Sequence, residues 1–414
     1  MKIKCQPDDF HVQELTEVRP GSGPHALYRL TKRSLTTPEA IEAIARRWKI
    51  RRDAFSFGGM KDKHALTEQH VTIRGGPKRA LKQTNLEVEH LGQTDEAFGP
   101  HHIAANRFTL VVRDLGEPGV AKAMAAIEEV RSHGLPNYFD EQRFGSVGES
   151  GEFVARAWCL GEFERALWLA IAEPNVHDSP ADREHKRTLR EGWGRWRELA
   201  AQLEGFEHRR IIQKLAERPE DFRGAMAALP SWQRDLYLSA FQSHLWNRLL
   251  ARLIRLQCDE ASRFDVTIGP DALPLYRTLG TPSRQGVADG VGDSDATCAP
   301  GSRAPTAPPF RDGAPLHGLE LPLPSARERP ESEPVKTLYH ETLAELGLKV
   351  EQLKVKWPRD VFFKKGSRSA VVMAKGLSAE AGDDDMYAGR KRLTLRFALP
   401  RGAYATVLVK RVFG

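Results

Sequence analysis

Apolar and polar residues alternate through Phe10-His11-Val12-Gln13-Glu14-Leu15, the spacing of a strand with one buried face, and Ala26 to Leu30 repeats it after a Gly-rich turn. Thr36-Thr37-Pro38-Glu39 then supplies a cap residue, a proline suited to a first turn and an early acid. Ile41, Ile44, Ala45 and Trp48 follow on one helical face, which predicts a helix packed on that sheet. Ala54 to Phe57 reads as a short strand running into Gly58-Gly59, and Val71-Thr72-Ile73 resumes extended structure, so the polar stretch between them is expected to be a loop at a strand end. Asn106 to Val112 predicts a further strand, and Val120, Ala123, Met124 and Ile127 a helix stopped by Gly134 and Pro136.

From about residue 150 the periodicity becomes helical, including a segment around Trp193-Gly194-Arg195-Trp196 and another from Tyr237 to Leu256. Residues 281–335, dense in Gly, Pro, Ser and Ala, predict a long mobile loop. Leu393, Leu395, Phe397 and Leu399 alternate as a strand, and Tyr404 to Leu408 has helical spacing. A strand and a helix are too little to fold alone. The C-terminus is therefore expected to complete the N-terminal sheet, making the middle of the chain an insertion.

A length of 414 residues favours two domains. The formal charge of +7 leans toward a partner that carries phosphates, although a solvated basic surface gives the same balance. Cys5, Cys159, Cys258 and Cys298 lack CxxC or CxH spacing, which suggests neither a zinc site nor a disulfide framework and fits reduced thiols in a cytoplasm. The first residues contain no apolar leader core, and no apolar run is long enough to cross a bilayer, so neither secretion nor a membrane span is expected.

The segment with most chemical content is Gly58-Gly59-Met60-Lys61-Asp62-Lys63-His64-Ala65-Leu66-Thr67-Glu68-Gln69. Two glycines let backbone approach a ligand closely. An aspartate flanked by lysines is favoured as the anion, which can serve as nucleophile or base. An ordinary turn with solvated lysines fits the same letters. The spacing of a phosphate-binding loop is absent, as are Gly-x-Ser-x-Gly and His-Glu-x-x-His, and in an extended chain the side chains of His101 and His102 would diverge.

Lys61, Asp62, Ala65, Thr67 and Gln69 match Lys-Asp-x-x-Ala-x-Thr-x-Gln, and the stretch resembles the catalytic loop of the TruD family of tRNA pseudouridine synthases. Further segments occur in family order: Pro7 to Glu14, Lys32 with Thr36-Thr37, Asn106-Arg107-Phe108, Pro136 to Gly145, Leu238 to Asn247, Ala314 to Gly318, and Leu399 to Thr406. One departure is Phe98 to Ala105, where similar proteins carry a basic, leucine-containing stretch. The loop at 281–335 is also long for the family.

The resemblance implies an α/β (α+β) fold: a mixed, largely antiparallel sheet flanked by helices and interrupted by an inserted α/β domain. It places the catalytic domain at 1–145 and 362–414 and the insertion at 146–361. The implied activity is isomerisation of uridine to pseudouridine in tRNA, usually at position 13, with no cofactor, no metal and no nucleotide, in a cytoplasmic monomer. Asp62 would be the catalytic carboxylate. Phe10 and Phe108 would be the apolar walls of the base pocket, Asn106 would hold a uracil edge or the Asp62 loop, and Lys4 would pair with Asp62. Lys61, Gln69 and Arg143 would join the site. Arg183 to Arg197, with Trp193 and Trp196, offers cations and indoles to RNA, or else the charged outer face of an amphipathic helix. An RNA-binding protein or tRNA-folding chaperone without catalysis is the competing class.

Overall fold

The computed structural model describes residues 1–202, 208–278, 316–328, 330, 332–355, 357–358 and 360–414. The chain divides into two compact units, Met1–Leu135 with Val372–Gly414, and Pro136–Val371. These divisions lie at Leu135 and Val371, where the sequence placed them at 145 and 361.

In the first unit the strands are β1 (Phe10–Thr16), β2 (His25–Arg33), β3 (Phe55–Phe57), β4 (Leu66–Arg74), β5 (Leu81–Gln83), β6 (Leu86–Thr94), β7 (Ile103–Leu115), β8 (Lys375–Asp383) and β9 (Lys391–Pro400). The helices are α1 (Thr37–Trp48), α2 (Glu117–His133) and α3 (Ala405–Phe413). The strands form one nine-stranded sheet in the order β8-β9-β7-β1-β4-β2-β6-β5, with β3 also paired to β4. Only β1 and β4 run parallel, with His11 opposite Leu66; every other pairing in this sheet is antiparallel.

α1 begins as its sequence predicts. The Thr36 hydroxyl accepts from the Glu39 N–H, the Glu39 carboxylate accepts from the Thr36 N–H, and Pro38 lies in the first turn. Its apolar side meets Ala26, Tyr28 and Leu30 of β2, Val71 and Ile73 of β4 and Val88 of β6. α2 packs on α3, β8 and β9, and so brings the C-terminal segment into this unit.

The face that α1 covers is not apolar throughout. Paired strand residues share a face, so Ala26/Ile73, Tyr28/Val71, Leu30/Gln69 and Lys32/Thr67 form one row across β2 and β4. Phe10/Leu110, Val12/Phe108 and Glu14/Asn106 form another across β1 and β7. Val12 opposite Thr67 places both rows on the same face. Each row changes from apolar to polar, and Lys32, Thr67, Gln69 and Glu14 are buried. This corrects one sequence expectation: β4 starts at Leu66, not near Val71, because its first inward residues are polar and hide the strand alternation.

Arg113, near the end of β7, is buried and ties three segments together. Its Nε and Nη2 donate to the Asp9 carboxylate at 2.9 to 3.0 Å, and its Nη1 donates to Asp384 at 3.0 Å and Asp385 at 2.7 Å. Hydrogen bonds donated to the Asp9 carboxylate lead the effects that hold the guanidinium well above its ordinary range.

The second unit is built around the helix Ser231–Gln257, whose Trp246, Phe241 and Leu245 are fully buried. Shorter helices and a hairpin of Arg263–Ile268 with Asp271–Tyr276 accompany it. Two expectations change here. Within the stretch read as a mobile loop, 281–315 lies outside the described residues, whereas Glu320–Pro322 pairs with Ser367–Ser369, and Leu316 and Leu321 are buried. The described end of this stretch is therefore held by buried apolar side chains despite its Pro-rich composition.

The tryptophan-arginine segment is not one helix, since Pro180–Glu191 stops at Gly192 and a new helix starts at Trp196. Trp193 packs edge-on against Trp168 and Trp196, and its Nε1 donates to Glu164, so these indoles serve the fold. Arg187 pairs with Glu184, Arg195 pairs with Glu198, and Arg190 donates to the Ala172 carbonyl, which is how a charged helical surface neutralises itself.

Replacing Arg113 by Met strands the Asp9 and Asp384 carboxylates in the interior, and we expect a loss of about 3–5 kcal/mol in urea unfolding at pH 7. A loss below about 1 kcal/mol, the value of an exposed pair, would mean the clamp contributes no more than surface charges do.

Candidate active site

The parallel pairing of β1 with β4 decides what meets at the site. Because both strands start at the same end, the residues preceding β1 and those preceding β4 emerge side by side. Lys4 comes from the first segment and Asp62 from the second, and Lys4 Nζ lies 3.6 Å from Asp62 Oδ2. Both side chains are partly open, at 25% and 30% exposure, so this pair is screened by water and is not the buried pair expected. Lys4 Nζ also sits 4.0 Å from the Phe10 ring centroid, over its face.

The lysines that flank Asp62 in sequence send their ammonium groups to other partners. Lys63 Nζ lies 3.2 Å from Glu39 Oε1. Lys61 Nζ reaches across the sheet face to Asn106 Oδ1 at 2.6 Å and Glu14 Oε2 at 3.2 Å. Of the two roles open to Asn106, this geometry corresponds to holding the loop. Glu14 is the buried centre of the group, with Oε1 accepting from the His70 N–H at 2.9 Å. Burial raises the Glu14 carboxyl, but the His70 hydrogen bonds and the Lys61 charge outweigh it and hold the group below its ordinary 4.5.

The loop backbone is fastened by the polar residues beneath it. The Lys61 N–H donates to Thr37 Oγ1 at 3.1 Å, and Thr37 Oγ1 donates to Gln69 Oε1 at 2.9 Å. Gln69 Nε2 reaches the Gly59 carbonyl at 3.4 Å. Lys32 Nζ donates to the carbonyls of Leu35 at 2.6 Å and Asp62 at 2.8 Å, with Lys61 O at 3.4 Å. A Cβ on Gly58 would stand 2.4 Å from Ile103 Cδ1, so this glycine answers to the protein's own packing, while a Cβ on Gly59 meets nothing within 4 Å.

Phe10 and Phe108 are buried as a T-shaped pair with centroids 6.3 Å apart, and Phe108 stacks on Phe397 at 5.3 Å. Phe10 lies beneath Lys4 and Phe108 packs between Phe10 and Phe397, so little ring face remains open. Arg143 belongs to the second unit: its Nε donates to Ser243 Oγ at 3.1 Å and its guanidinium lies 5.6 Å from the Phe139 ring. Asn247 brackets the same segment, accepting from the Phe139 N–H and donating to the Phe139 carbonyl. Two blocks quoted from the sequence are thereby joined.

His101 and His102 do not diverge. A 3-10 turn over Pro100–His102 brings their ring centroids to 3.9 Å, and with Glu96 they place ligand-type atoms within 4.8 Å of one another. Both nitrogens of His102 are already engaged, Nδ1 by the Gly99 N–H and Nε2 by Glu96, so the group caps a turn. Sequence reasoning did not assign Lys32, Glu14 or Thr37 to the site. The available signal was a charged residue at an inward strand position, since Lys32 follows Ala26, Tyr28 and Leu30 at the strand period of two.

A sequence model of the family described as tRNA pseudouridine synthase D (TruD) matches residues 1–276 and 317–412, and the chain belongs to this family. The probable tRNA pseudouridine synthase D of Methanopyrus kandleri is 29% identical over 399 residues, which cover 95% of this chain and 86% of that protein. The tRNA pseudouridine synthase D of Geobacter metallireducens is 30% identical over 422 residues, covering 99% and 94%. The crystal structure of the putative tRNA pseudouridine synthase D from Methanosarcina mazei shares the fold, with a TM-score of 0.70 at 24% identity and coverage of 100% and 93%.

Glu14→Gln leaves Lys61 without its carboxylate, and we expect a loss of about 3 kcal/mol at pH 7 in urea unfolding. Glu14 is held low in the fold, so its contribution is present above 4.5 and disappears as pH falls through the folded value. The difference between variant and wild type should therefore shrink below pH 4.5; a difference equal at pH 7 and pH 4 would contradict the assignment.

Proposed function

We propose that this member of the TruD family isomerises uridine to pseudouridine in tRNA, at position 13, with the Asp62 carboxylate as the reacting group. The observation that carries the reading is the loop itself. Four buried polar side chains, Lys32, Thr37, Glu14 and Gln69, hold the segment through Gly59, Lys61 and Asp62, while the Asp62 carboxylate stays partly open beside Lys4. Such effort on one carboxylate suits a reaction in which the base is detached, turned and rejoined, exchanging neither electrons nor atoms with a cofactor.

Attack on the ribose, attack on the uracil ring and abstraction of a ribose proton share one requirement: an ionised carboxylate within reach of a nucleoside taken out of its stack. Lys4 supplies the positive charge next to that carboxylate. Phe10 supports Lys4 from below with Phe108 packed against it, so the two rings back the site from beneath, and Lys61 with Asn106 sets the loop against the sheet. The tRNA is the partner this site calls for, and the protein acts as a monomer in the cytoplasm. Reduced thiols fit that compartment: burial pushes Cys159 up to about 12 and Cys258 up to about 11, which leaves both unreactive. Among the described residues, no helix is long and apolar enough to cross a membrane.

The test is incubation of unmodified tRNA transcripts with purified protein, followed by carbodiimide-stalled primer extension. Wild type should give a stop at the modified uridine and Asp62→Asn should give none. Product from both proteins would reject Asp62, and binding without product from either would favour a tRNA-folding chaperone. Lys4→Ala should slow single turnover by about 10- to 100-fold, as expected for loss of one charge at the reacting group; an unchanged rate would remove Lys4 from the site.

A further inference from the structure

Lys32 is fully buried, and its three ammonium protons are matched by three carbonyls, of Leu35, Lys61 and Asp62. It occupies the fourth place in an inward row whose other members are Ala26, Tyr28 and Leu30, where an apolar side chain would bury without losing hydration. The groups facing it are Glu39 from α1, Lys61 and Asp62 from the loop, uncharged Thr67 from β4 and apolar Leu86 from β6. None of its hydrogen bonds runs to a carboxylate oxygen. A buried cation satisfied by carbonyls burdens the fold, so its value must be sought in what those carbonyls belong to.

We propose that Lys32 is a positioning residue for the reaction at Asp62: its ammonium fixes the peptide backbone from which the carboxylate projects, and loss of its proton releases that backbone. The inference rests on the reading of Asp62 as the reacting group.

Burial lowers Lys32 to about 8, against the charges of Asp62 and Glu39 and with the help of Lys61. The sign of the effect separates a positioning role from a structural one. Positioning by the ammonium is present below about 8 and lost as pH rises through that value. Stability moves the other way, because between about 8 and the ordinary 10.5 the unfolded chain binds the proton more readily than the fold does. Activity should therefore fall across a range in which Lys32 itself makes the fold more stable.

The experiment measures single-turnover rate on a tRNA transcript from pH 6.5 to 9, with tRNA binding and urea unfolding in parallel, for wild type, Lys32→Met and Lys32→Gln. Wild type should slow above pH 8 without losing stability. Lys32→Met should lose about 100-fold in rate, the scale of a misplaced reacting group, while folding and binding tRNA to within about threefold. Lys32→Gln keeps N–H donors that do not titrate, so it should lose less and should not slow near pH 8.

Lys32→Met at the wild-type rate, a wild-type profile flat to pH 9, or the same alkaline decline in Lys32→Gln would overturn the proposal. Should both variants fail to fold, the wild-type pH comparison decides alone. If Asp62→Asn is inactive while Lys32→Met is fully active, the reading of Asp62 stands and the role of Lys32 does not.

Discussion

A buried carboxylate in the middle of a sheet must be compensated, and the compensation of Glu14 organises the site. Its two oxygens are served from different directions, one by His70 of the neighbouring strand and the other by Lys61 of the loop. Lys61 cannot reach Glu14 unless the loop lies down on the sheet, and in doing so it also meets Asn106 on β7. The carboxylate thus dictates where the loop rests, and Asp62, the next residue, is delivered to the rim beside Lys4. Electrostatic pairing deep in the structure does the placing, and the Lys4–Asp62 pair is left more exposed.

The sheet achieves this by breaking its own pattern. The inward positions run from apolar to polar along β1 and β2 and from polar to apolar along β4, and the polar residues lie together because register aligns them. Such a patch would be ruinous if left open to an apolar partner. It is covered by the α1 N-terminus and by a loop whose peptide groups supply the missing donors and acceptors. The fold therefore keeps backbone where an ordinary core would keep side chains.

Those reversals also explain what the sequence made legible. β1, β2, α1, β7 and β9 follow period-two or period-3.6 spacing and can be read directly from it. The early start of β4 cannot, since Thr67 and Gln69 face inward and mimic a loop composition. Asp62 was legible through its motif, and Lys4 through its distance from Phe10. The partners of Lys61 and Lys63 were not, because the neighbours of a charge along the chain are seldom its neighbours in space. Lys32 and Glu14 stood within quoted segments, but only the cross-strand register reveals that they are buried on one face. Near residue 193 the composition allowed two readings, cations and indoles for RNA or a charged helical face, and the observed aromatic core under an ion-paired surface has the form of the second.

The sheet is continuous in space but not in the order of synthesis. β7 is made early, yet its partner β9 and the acids Asp384 and Asp385 that meet Arg113 emerge only after the entire second unit. At ribosomal rates of about 5–20 residues per second, that interval lasts tens of seconds. Until then β7, already able to pair with β1, has one edge without its neighbour, and an open edge is adhesive toward other unfinished chains. The same strand supplies Asn106, so the strand that anchors Lys61 gains its second neighbour only when the last segment has been made. The order of translation therefore sets the earliest moment at which this sheet can close.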